Sequence, residues 1–454
     1  MSPRLPEGIL VGWYGDDFTG SAATMEVLAF AGVPSVLFQN IPTLEMLARF
    51  PDIRAAGIAS TARSHGPEWM EAQLPPAFDF LRETCAPVVH YKVCSTLDSA
   101  PHVGSIGKAI DIGARVIGTD LVPFLVAAPV MRRYQIFGNL FAAAGGGVYR
   151  VDRHPVMARH PVTPMGEADV GRHLSAQTDK RFGAITIEDL ERDPATALTR
   201  ERAAGAQVVT LDAMTQAHMR ENGALIWNDG TGQTFAAGSQ GVEYALVAHW
   251  RAAGLLQGAD QTAGAGPVDQ IVAVSGSVSP TTAAQIDWAE ANGFALFHLD
   301  PVLAVDEADA ADLEAFALKV FRAVEAGRDV LICTARGPDD PSVARIRAAV
   351  ERSGTTMESA NARLGRLLGR LLKDCIEKFA IKRAVISGGD TSGHAARELG
   401  IYAFTALAPT IPGAALLTAY SDNPALDGLQ IALKGGQMGS LDYFGWIKRG
   451  GGAA

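Results

Sequence analysis

Cysteine is scarce in this sequence, and its few cysteines lie too far apart along the chain to suggest a disulfide framework. They are Cys85, Cys94, Cys333 and Cys375, and no two of them form a CxxC pair. A zinc site of the CxxC type is therefore not indicated, and the pattern is typical of a protein in a reducing compartment. The histidines show no HExxH or paired metal-binding spacing, so none is assigned to a metal.

Positive charge and long apolar runs are lacking as well. The net charge is −10 and no block of lysine or arginine occurs, whereas nucleic acids and anionic membranes are bound through clustered cations. Neither is expected as a partner, although a small anionic substrate needs only a local cationic pocket. The longest apolar run, residues 116–130, is interrupted by Asp120 and two prolines, so no membrane span is predicted. The N-terminal residues MSPRLPEG lack a signal-peptide pattern, and we expect a cytoplasmic protein.

The composition suits a large folded protein, with 48% hydrophobic and 19% charged residues over a length of 454. That length is long for one domain and adequate for two. Residues 9–14 predict a buried strand, 21–31 a helix and 33–38 the next strand. Such alternation predicts an α/β protein of two doubly wound domains with largely parallel sheets. The other predicted strands are 54–59, 88–93, 122–127, 206–211, 270–274, 329–334, 384–387 and 429–433, and the longest predicted helix is 358–379.

Residues 254–267 (GLLQGADQTAGAGP) are poor in large side chains and rich in glycine and alanine. We interpret them as a linker between an N-terminal domain, 1–255, and a C-terminal domain, 268–454. The stretch 149–186 reads as irregular. Its His154, Arg159 and His160 could lend positive charge to an anionic substrate or belong to an ordinary surface loop. The sequence leaves the oligomeric state open, a homo-oligomer included.

Two adjacent carboxylates, Asp16 and Asp17, follow the first predicted strand in the loop GDDFTG. Parallel sheets bind ligands beyond the carboxyl ends of their strands, and a carboxylate placed there can orient or deprotonate a substrate hydroxyl. Both residues are therefore predicted to be catalytic. The alternative is helix capping, because Asp and Thr are favoured N-cap residues, but capping would account for a single carboxylate.

Lys92, Ser95 and Thr96 follow the strand predicted at 88–93. A lysine beside two hydroxyls could bind a carboxylate or a phosphate. We predict that these three residues bind the substrate. A strand-end lysine followed by ordinary turn residues would give the same local pattern.

Three turns rich in glycine or serine follow strands of the C-terminal half and together predict a nucleotide site. Successive backbone N–H groups in such turns bind anions, and a helix N-terminus supports them. Each turn alone would also suit a tight strand–helix connection, and no Walker A motif is present. Lys434, beside the last turn, would suit a phosphate contact. The residues predicted to bind the nucleotide are Ser277, Gly388, Gly389, Asp390, Thr391, Gly436 and Gly439.

In this order, the motifs resemble those of the four-carbon acid sugar kinase family. The matching segments are 16–20 for DD-x-TG, 60–64 for a Ser/Arg segment, 92–96 for K-x-x-ST, 276–279 for GSxS, 388–393 for GG-[DE]-TSG and 434–439 for KxGxxG. The resemblance extends over residues 8–444. The two last loops and DD-x-TG are specific in combination.

The resemblance implies an ATP-dependent kinase that phosphorylates the terminal hydroxyl of a small sugar acid, with Mg²⁺ as the metal. It also implies a sugar-binding N-terminal domain, a nucleotide-binding C-terminal domain and an active site in the cleft between them. On this basis Arg63 is a predicted substrate-binding residue, and Asp390 is a candidate Mg²⁺ ligand. The acids used within the family include threonate, erythronate, 3-oxo-tetronate and the branched 3-oxo-isoapionate.

The sequence departs from the family pattern at 97–99, where Leu-Asp-Ser replaces Leu-Arg-Gly, and at 129–137, which matches a Pro-Gly-Arg segment loosely. Asp98 predicts a substrate with an extra hydroxyl or branch, unless it faces solvent and Arg132 or Arg133 fills the gap. Two other functions are considered. A nicotinamide-dependent oxidoreductase is opposed by the missing GxGxxG spacing, and a non-catalytic sugar-acid or nucleotide sensor is opposed by the retention of every loop.

Overall fold

The computed structural model of the protein describes residues 4–160, 162–227, 232–258, 260–305 and 310–452, with the backbone alone at 310 and 389–392. The chain folds as two units, residues 1–260 and 261–454. Residues 254–258 and 260–267 belong to no helix or strand. None of the helices in the described part combines the length and hydropathy that crossing a bilayer requires.

Unit 1 alternates strands and helices along most of its length. Its strands are β1 (Val11–Gly15), β2 (Ser35–Phe38), β3 (Ala55–Ala59), β4 (Val88–Lys92), β5 (Val122–Leu125), β6 (Arg133–Ile136), β7 (Asn139–Ala144), β8 (Gly147–Arg150), β9 (Phe182–Ile185), β10 (Val208–Leu211) and β11 (Thr234–Gly238). Its helices are α1 (Phe18–Phe30), α2 (Leu44–Ala48), α3 (Pro67–Glu83), α4 (Ile106–Ile117), α5 (Val170–Ser175), α6 (Ile187–Arg192), α7 (Pro194–Ala203), α8 (Gln216–Trp227) and α9 (Gly241–Ala252).

Eight of these strands pair in parallel, in the order β2-β3-β1-β4-β11-β5-β10-β9 among the described residues. The chain passes from β1 to β2 and β3 on one side and then to β4 on the other. This reversal is a topological switch point, where open α/β sheets bind ligands. It brings together the loops that follow β1, β3 and β4.

Strand β1 shows why the sheet centre forms here. Its five residues, VGWYG, are buried, as the near-continuous apolar run of a strand covered on both faces requires. Tyr14 packs against Phe78 and stacks on Tyr91 of the neighbouring strand, with ring centroids 6.0 and 6.3 Å apart. The end of β1, from which the next loop begins, is therefore fixed by packing.

Strands β9 and β11 of the parallel sheet were not predicted from the sequence, and β9 lies in the stretch 149–186 that was interpreted as irregular. An antiparallel ribbon of β6, β7 and β8 was not predicted either. Two-residue turns join its strands. Phe137 and Gly138 have φ of 47° and 75°, and Gly145 and Gly146 have φ of 53° and 86°. Positive φ at both positions matches the right-handed twist of a hairpin. The two X-Gly pairs were the available sequence signal.

Unit 2 also alternates strands and helices, but one side of its sheet is antiparallel. Its strands are β12 (Val272–Ser275), β13 (Ala295–His298), β14 (Val330–Cys333), β15 (Arg383–Ser387), β16 (Ile401–Ala408), β17 (Leu416–Ser421) and β18 (Gln430–Lys434). Its helices are α10 (Pro280–Ala291), α11 (Ala310–Glu325), α12 (Pro341–Ser353), α13 (Met357–Phe379), α14 (Gly389–Glu398) and α15 (Tyr443–Arg449).

The strands of unit 2 follow the order β13-β14-β12-β15-β18-β17-β16 in the described residues. The first five are parallel, and β17 and β16 continue the sheet in antiparallel pairs. The order reverses at β12, so the loops after β12, β15 and β18 are neighbours. The predicted α/β class with mostly parallel sheets is confirmed.

Candidate active site

The loop after β1 carries both predicted catalytic carboxylates. Asp17 is the N-cap of α1, and its Oδ1 accepts a hydrogen bond from the Gly20 N–H at 3.0 Å. Asp16 is buried, and its N–H donates to the Lys92 carbonyl at the end of β4 at 2.9 Å. Capping therefore accounts for Asp17 in part and leaves the second carboxylate available for another role.

Arg63 lies in a short 3₁₀ helix, Ala62–Ser64, that follows β3. Its Nε and Nη2 donate to the two oxygens of Asp16 at 3.0 and 2.7 Å, and Nη2 also donates to Asp17 at 2.8 Å. Such a fork on a carboxylate is a strong and geometrically defined contact. The predicted substrate-binding arginine is thus engaged with the two predicted catalytic residues.

The two carboxyls differ in acidity. Burial raises the pKa of Asp16 above its ordinary value, although Arg63 opposes the shift. Burial also acts to raise the pKa of Asp17, but the charges of Arg63 and Lys92 and the Gly20 N–H outweigh it, so this pKa is lowered. Asp17 is therefore an ionised carboxylate at neutral pH.

Lys92 closes β4 and is 1% exposed. A Cβ placed on Gly20 would lie 2.4 Å from the Lys92 Nζ and 2.4 Å from the Asp17 Oδ1, so both atoms lie against this glycine. Among the described residues, the ammonium has no hydrogen-bond or ion-pair partner. A buried ammonium of this kind is suited to an anionic or polar ligand.

The loop after β4 contains the other predicted substrate residues. Ser95 and Thr96 are buried, and the Thr96 hydroxyl donates to Asp98 Oδ1 at 2.7 Å. Leu97 between them has φ of 60°, a left-handed conformation that is uncommon for a large side chain. The hydroxyl and the carboxylate on either side of it are thereby held together.

Several charged side chains act electrostatically on Cys94, which lies in the loop after β4. Burial and then the Asp98 carboxylate raise the pKa of its thiol to about 11. Arg63 and Lys92 act on the same thiol in the opposite direction. Arg133, from β6, also interacts electrostatically with it. The sequence indicates Arg132 or Arg133 only as a substitute for the missing family arginine.

His154 and His160 have local structural contacts. The Nδ1 of His154 accepts from the N–H groups of Val156 and Met157 at 3.2 and 3.1 Å. The Nδ1 of His160 accepts from the Thr163 N–H at 3.1 Å. Both rings thus accept hydrogen bonds from backbone N–H groups of their own loop, and these contacts favour a structural role over binding of a substrate.

In unit 2, the predicted nucleotide turns pack against one another. A Cβ on Gly436 would lie 2.4 Å from the Ser277 Oγ. Thr282 Oγ1 donates to the Gly436 carbonyl at 2.8 Å. Gly439 has φ of 99°, and a Cβ there would lie 2.7 Å from the Gln285 Nε2. Glycine is required at 436 because a side chain would clash with Ser277. It is required at 439 because of the positive φ and the nearby Gln285 side chain.

Gly388 precedes α14 with φ of 124° and is its N-cap residue. Its N–H donates to the Lys434 carbonyl at 2.9 Å, which links the turn after β15 to the end of β18. The helix starts at Gly389. The side chains predicted at 389–391, Asp390 and Thr391 included, lie outside the described ones.

Lys434 lies inside unit 2, not at its surface. Its Nζ donates to Thr282 Oγ1 at 3.1 Å and to the Gly435 carbonyl at 3.3 Å. Burial lowers its pKa to about 8. These contacts indicate that Lys434 stabilises the last turn from the interior. From the sequence alone, a direct contact with a phosphate was favoured.

A cavity of about 310 Å³ opens beside these turns. Ser277 and Gly388 lie on its wall, together with the apolar side chains of Ile346 and Leu364 and the polar side chain of Asn361. Its size falls at the lower end of the roughly 300–1,000 Å³ typical of small-molecule pockets. Two of the predicted nucleotide-binding residues thus line a cavity of suitable size.

The described residues contain no cluster of three or more His, Cys, Asp or Glu side chains that could hold a metal ion. A magnesium ion that a kinase uses needs one or two protein carboxylates, because phosphates and water supply its other ligands. That requirement is compatible with a single carboxylate in the loop after β15.

The sequence matches two family models. One is described as a sugar-binding N-terminal domain and covers residues 11–246, and the other as a nucleotide-binding C-terminal domain and covers residues 272–444. A 3-oxo-isoapionate kinase from Paraburkholderia graminis is 45% identical over 447 residues, which are 98% of this chain and 95% of that protein. A 3-oxo-tetronate kinase from Pseudomonas savastanoi pv. phaseolicola is 28% identical over 439 residues, 96% of each chain.

Two solved structures have a similar fold. A protein from Salmonella typhimurium LT2 is 24% identical with a TM-score of 0.78, covering 97% of this chain and 98% of that one. A protein from Haemophilus influenzae is 22% identical with a TM-score of 0.74, covering 96% of this chain and 99% of that one. The predicted fold is thus found in proteins of nearly equal length.

Proposed function

The chain belongs to the four-carbon acid sugar kinase family and is an ATP-dependent sugar-acid kinase, and we propose that its acceptor is a branched 3-oxo acid such as 3-oxo-isoapionate. The observation that carries this proposal is the 45% identity, over 98% of the chain, to a kinase named for that acid. Identity to two 3-oxo-tetronate kinases is lower, at 28%.

We assign the sugar acid to the N-terminal domain, 1–255, and ATP to the C-terminal domain, 268–454. The first assignment is supported by the cluster of Asp16, Asp17, Arg63 and Lys92 at the switch point of unit 1. The second is supported by the cavity beside the glycine turns of unit 2. In this assignment the turns carry the phosphates, and the apolar part of the cavity carries the base.

In the proposed reaction, a substrate hydroxyl attacks the γ-phosphorus of ATP, ADP leaves and the hydroxyl loses its proton. The lowered pKa of Asp17 makes it a weak base, so its main role is to orient the hydroxyl and to accept the proton late. Phosphoryl transfer depends chiefly on alignment and charge neutralisation. Lys92 can supply the neutralising charge, and Ser95 and Thr96 can bind substrate hydroxyls.

Mg²⁺ is proposed as the cofactor that accompanies ATP. It would be bound mainly through phosphate oxygens, with Asp390 as its protein ligand. We also propose a cytoplasmic location, because the four cysteines are free thiols and ATP is the phosphoryl donor.

The test is a turnover assay with the full chain, ATP and Mg²⁺. ADP formation is measured with 3-oxo-isoapionate and with linear 3-oxo-tetronates, and the phosphorylated position is read by ³¹P NMR. We expect a higher kcat/KM for the branched acid, phosphorylated on a terminal hydroxyl. A higher kcat/KM for every linear acid would contradict the proposed acceptor while leaving the kinase activity in place.

A further inference from the structure

Arg133 is held at a fixed position by the backbone around it. Its N–H donates to the Ala128 carbonyl at 3.1 Å, and its own carbonyl accepts from the Ala128 N–H at 3.0 Å. Arg132, just before it, has φ of 55° and turns the chain into β6. The backbone from which the half-buried Arg133 side chain extends is therefore fixed in position.

The guanidinium of Arg133 uses one of its two sides within the protein. Nη1 donates to three carbonyls, those of Met131, Arg132 and Ala143, at 3.2, 3.3 and 3.3 Å. Nε is buried and has no hydrogen-bond partner. No acceptor among the described residues pairs with Nη2 either. The Nε–Nη2 edge, the pair of donors that matches a carboxylate, is unused.

The same edge of Arg63 is occupied, because its Nε and Nη2 donate to Asp16 and Asp17. The two arginines nevertheless belong to one region, because Arg63 follows β3 and Arg133 pairs with Ala128 just after β5, both at the carboxyl-end edge of the parallel sheet. Both also act electrostatically on Cys94. Burial lowers the pKa of Arg133, but a guanidinium remains charged at neutral pH. The region thus contains one arginine fork that is filled by protein carboxylates and one that is not.

We propose that the Nε–Nη2 edge of Arg133 binds the carboxylate of the sugar-acid substrate. This inference rests on the proposed function, in which unit 1 binds the acid. It also orients the substrate, because the reacting hydroxyl belongs beside Asp17 and Lys92 and the carboxylate lies at the opposite end. Arg133 is then a specificity-determining residue that distinguishes an acid from a neutral sugar.

The experiment compares kcat/KM for two substrates: the acid that the wild-type protein phosphorylates best, and the primary amide of that acid. The amide keeps the shape and loses the charge. Because the acid is chosen by measured turnover, the result does not depend on whether it is branched. Removing one partner of a buried charged pair commonly lowers affinity about 10²-fold or more.

Arg133→Ala is expected to lower kcat/KM for the acid about 10²-fold. For the amide the loss should be no more than roughly twofold, because the charged contact is already absent there and the two changes are therefore not additive. Arg133→Lys keeps the charge without the fork and is expected to lose about tenfold on the acid alone. Arg132→Ala, the control, removes an adjacent exposed cation and should keep the wild-type ratio of acid to amide.

Equal losses on acid and amide in both Arg133 variants would overturn the proposal, because they would indicate a purely structural role. Wild-type kcat/KM for both substrates in both variants would overturn it as well. If Arg133→Ala fails to fold, as judged by circular dichroism, the Arg133→Lys ratio decides. A change of the ratio in Arg132→Ala equal to that in Arg133→Lys would point to general electrostatics and also overturn it.

Discussion

Arg63 and Asp16 are joined by two hydrogen bonds, from Nε to Oδ2 at 3.0 Å and from Nη2 to Oδ1 at 2.7 Å, although 47 residues separate them in sequence. The same guanidinium reaches Asp17 at 2.8 Å. The arginine that the family resemblance assigned to the substrate thus holds the two carboxylates in place. Asp17 keeps its charge next to the expected position of the substrate hydroxyl.

The first prediction concerns Asp17. Asp17→Asn should lower kcat about 10²–10⁴-fold, the usual loss for an acid–base group. Folding should be preserved because Asn caps helices as well as Asp does. ADP affinity, measured by calorimetry, should be unchanged because the nucleotide is assigned to unit 2.

Asp193→Asn is the matched control, since Asp193 caps α7 through the Thr196 N–H at 3.0 Å. It should leave kcat at the wild-type level. Wild-type turnover in a folded Asp17→Asn variant would remove Asp17 from the mechanism and make Asp16 the next candidate.

The second prediction concerns Asp98, which accepts from Thr96 at 2.7 Å beside the charged groups around Cys94. A carboxylate repels a second anionic group and accepts hydrogen bonds from hydroxyls. Asp98→Arg should therefore shift the ranking of kcat/KM from branched acids toward linear tetronates. A panel of both classes, assayed by ADP release, measures the shift.

Asp98→Asn should give a smaller shift in the same direction, because it keeps an acceptor for Thr96 and removes only the charge. Asp111→Asn is the control, since Asp111 accepts from Thr178 at 2.7 Å in a similar pair on α4. An unchanged substrate ranking at normal rates in Asp98→Arg would show that Asp98 does not contact the substrate.

The third prediction concerns Gly436. A Cβ there would lie 2.4 Å from the Ser277 Oγ and 3.2 Å from the Ser279 Cβ. Gly436→Ala should force the two turns apart and weaken ADP binding by about 1–3 kcal/mol, the usual cost of overpacking. Calorimetric titration of ADP measures the loss.

Removing the obstructing oxygen should restore part of the affinity, so the double variant Gly436→Ala/Ser277→Ala is expected to bind ADP more tightly than Gly436→Ala. Gly166→Ala is the control, because a Cβ there meets nothing within 4 Å and the residue belongs to unit 1. Wild-type ADP affinity in Gly436→Ala would show that the packing of these turns does not shape the nucleotide site.

The fourth prediction concerns Lys434, whose pKa burial lowers to about 8. Between this pKa and the unfolded value near 10.4, the unfolded chain binds more protons than the folded one, so stability rises with pH. At lower pH the buried charge is a constant cost. Replacing Lys434 with Met should remove this rise, which amounts to about 3 kcal/mol at most.

Urea unfolding midpoints of the wild type and Lys434→Met between pH 7 and 10.5 measure the difference. The urea midpoint of the wild type should rise relative to that of Lys434→Met as the pH increases above 8. A constant gap over this range would show that Lys434 titrates as it does in the unfolded chain.

The sequence by itself determined the fold class and the order of the ligand loops. Alternating apolar strands and periodic helices imply parallel sheets, and the carboxyl ends of parallel strands meet at one edge. Loops after β1, β3 and β4 therefore had to lie at the same edge of the sheet, and the strand order of the structure makes them neighbours. The N-cap at Asp17 was also readable, because capping depends on a few consecutive residues.

Tertiary structure decided which partner each charged side chain takes. Arg63 pairs with Asp16, Lys434 turns into the interior toward Thr282, and Arg133 interacts electrostatically with Cys94 from a ribbon outside the parallel sheet. A side chain chooses among acceptors according to distance, burial and competing charges, and residues far apart in sequence set all three. Local motifs can place a charge at the site, but only packing fixes what that charge binds.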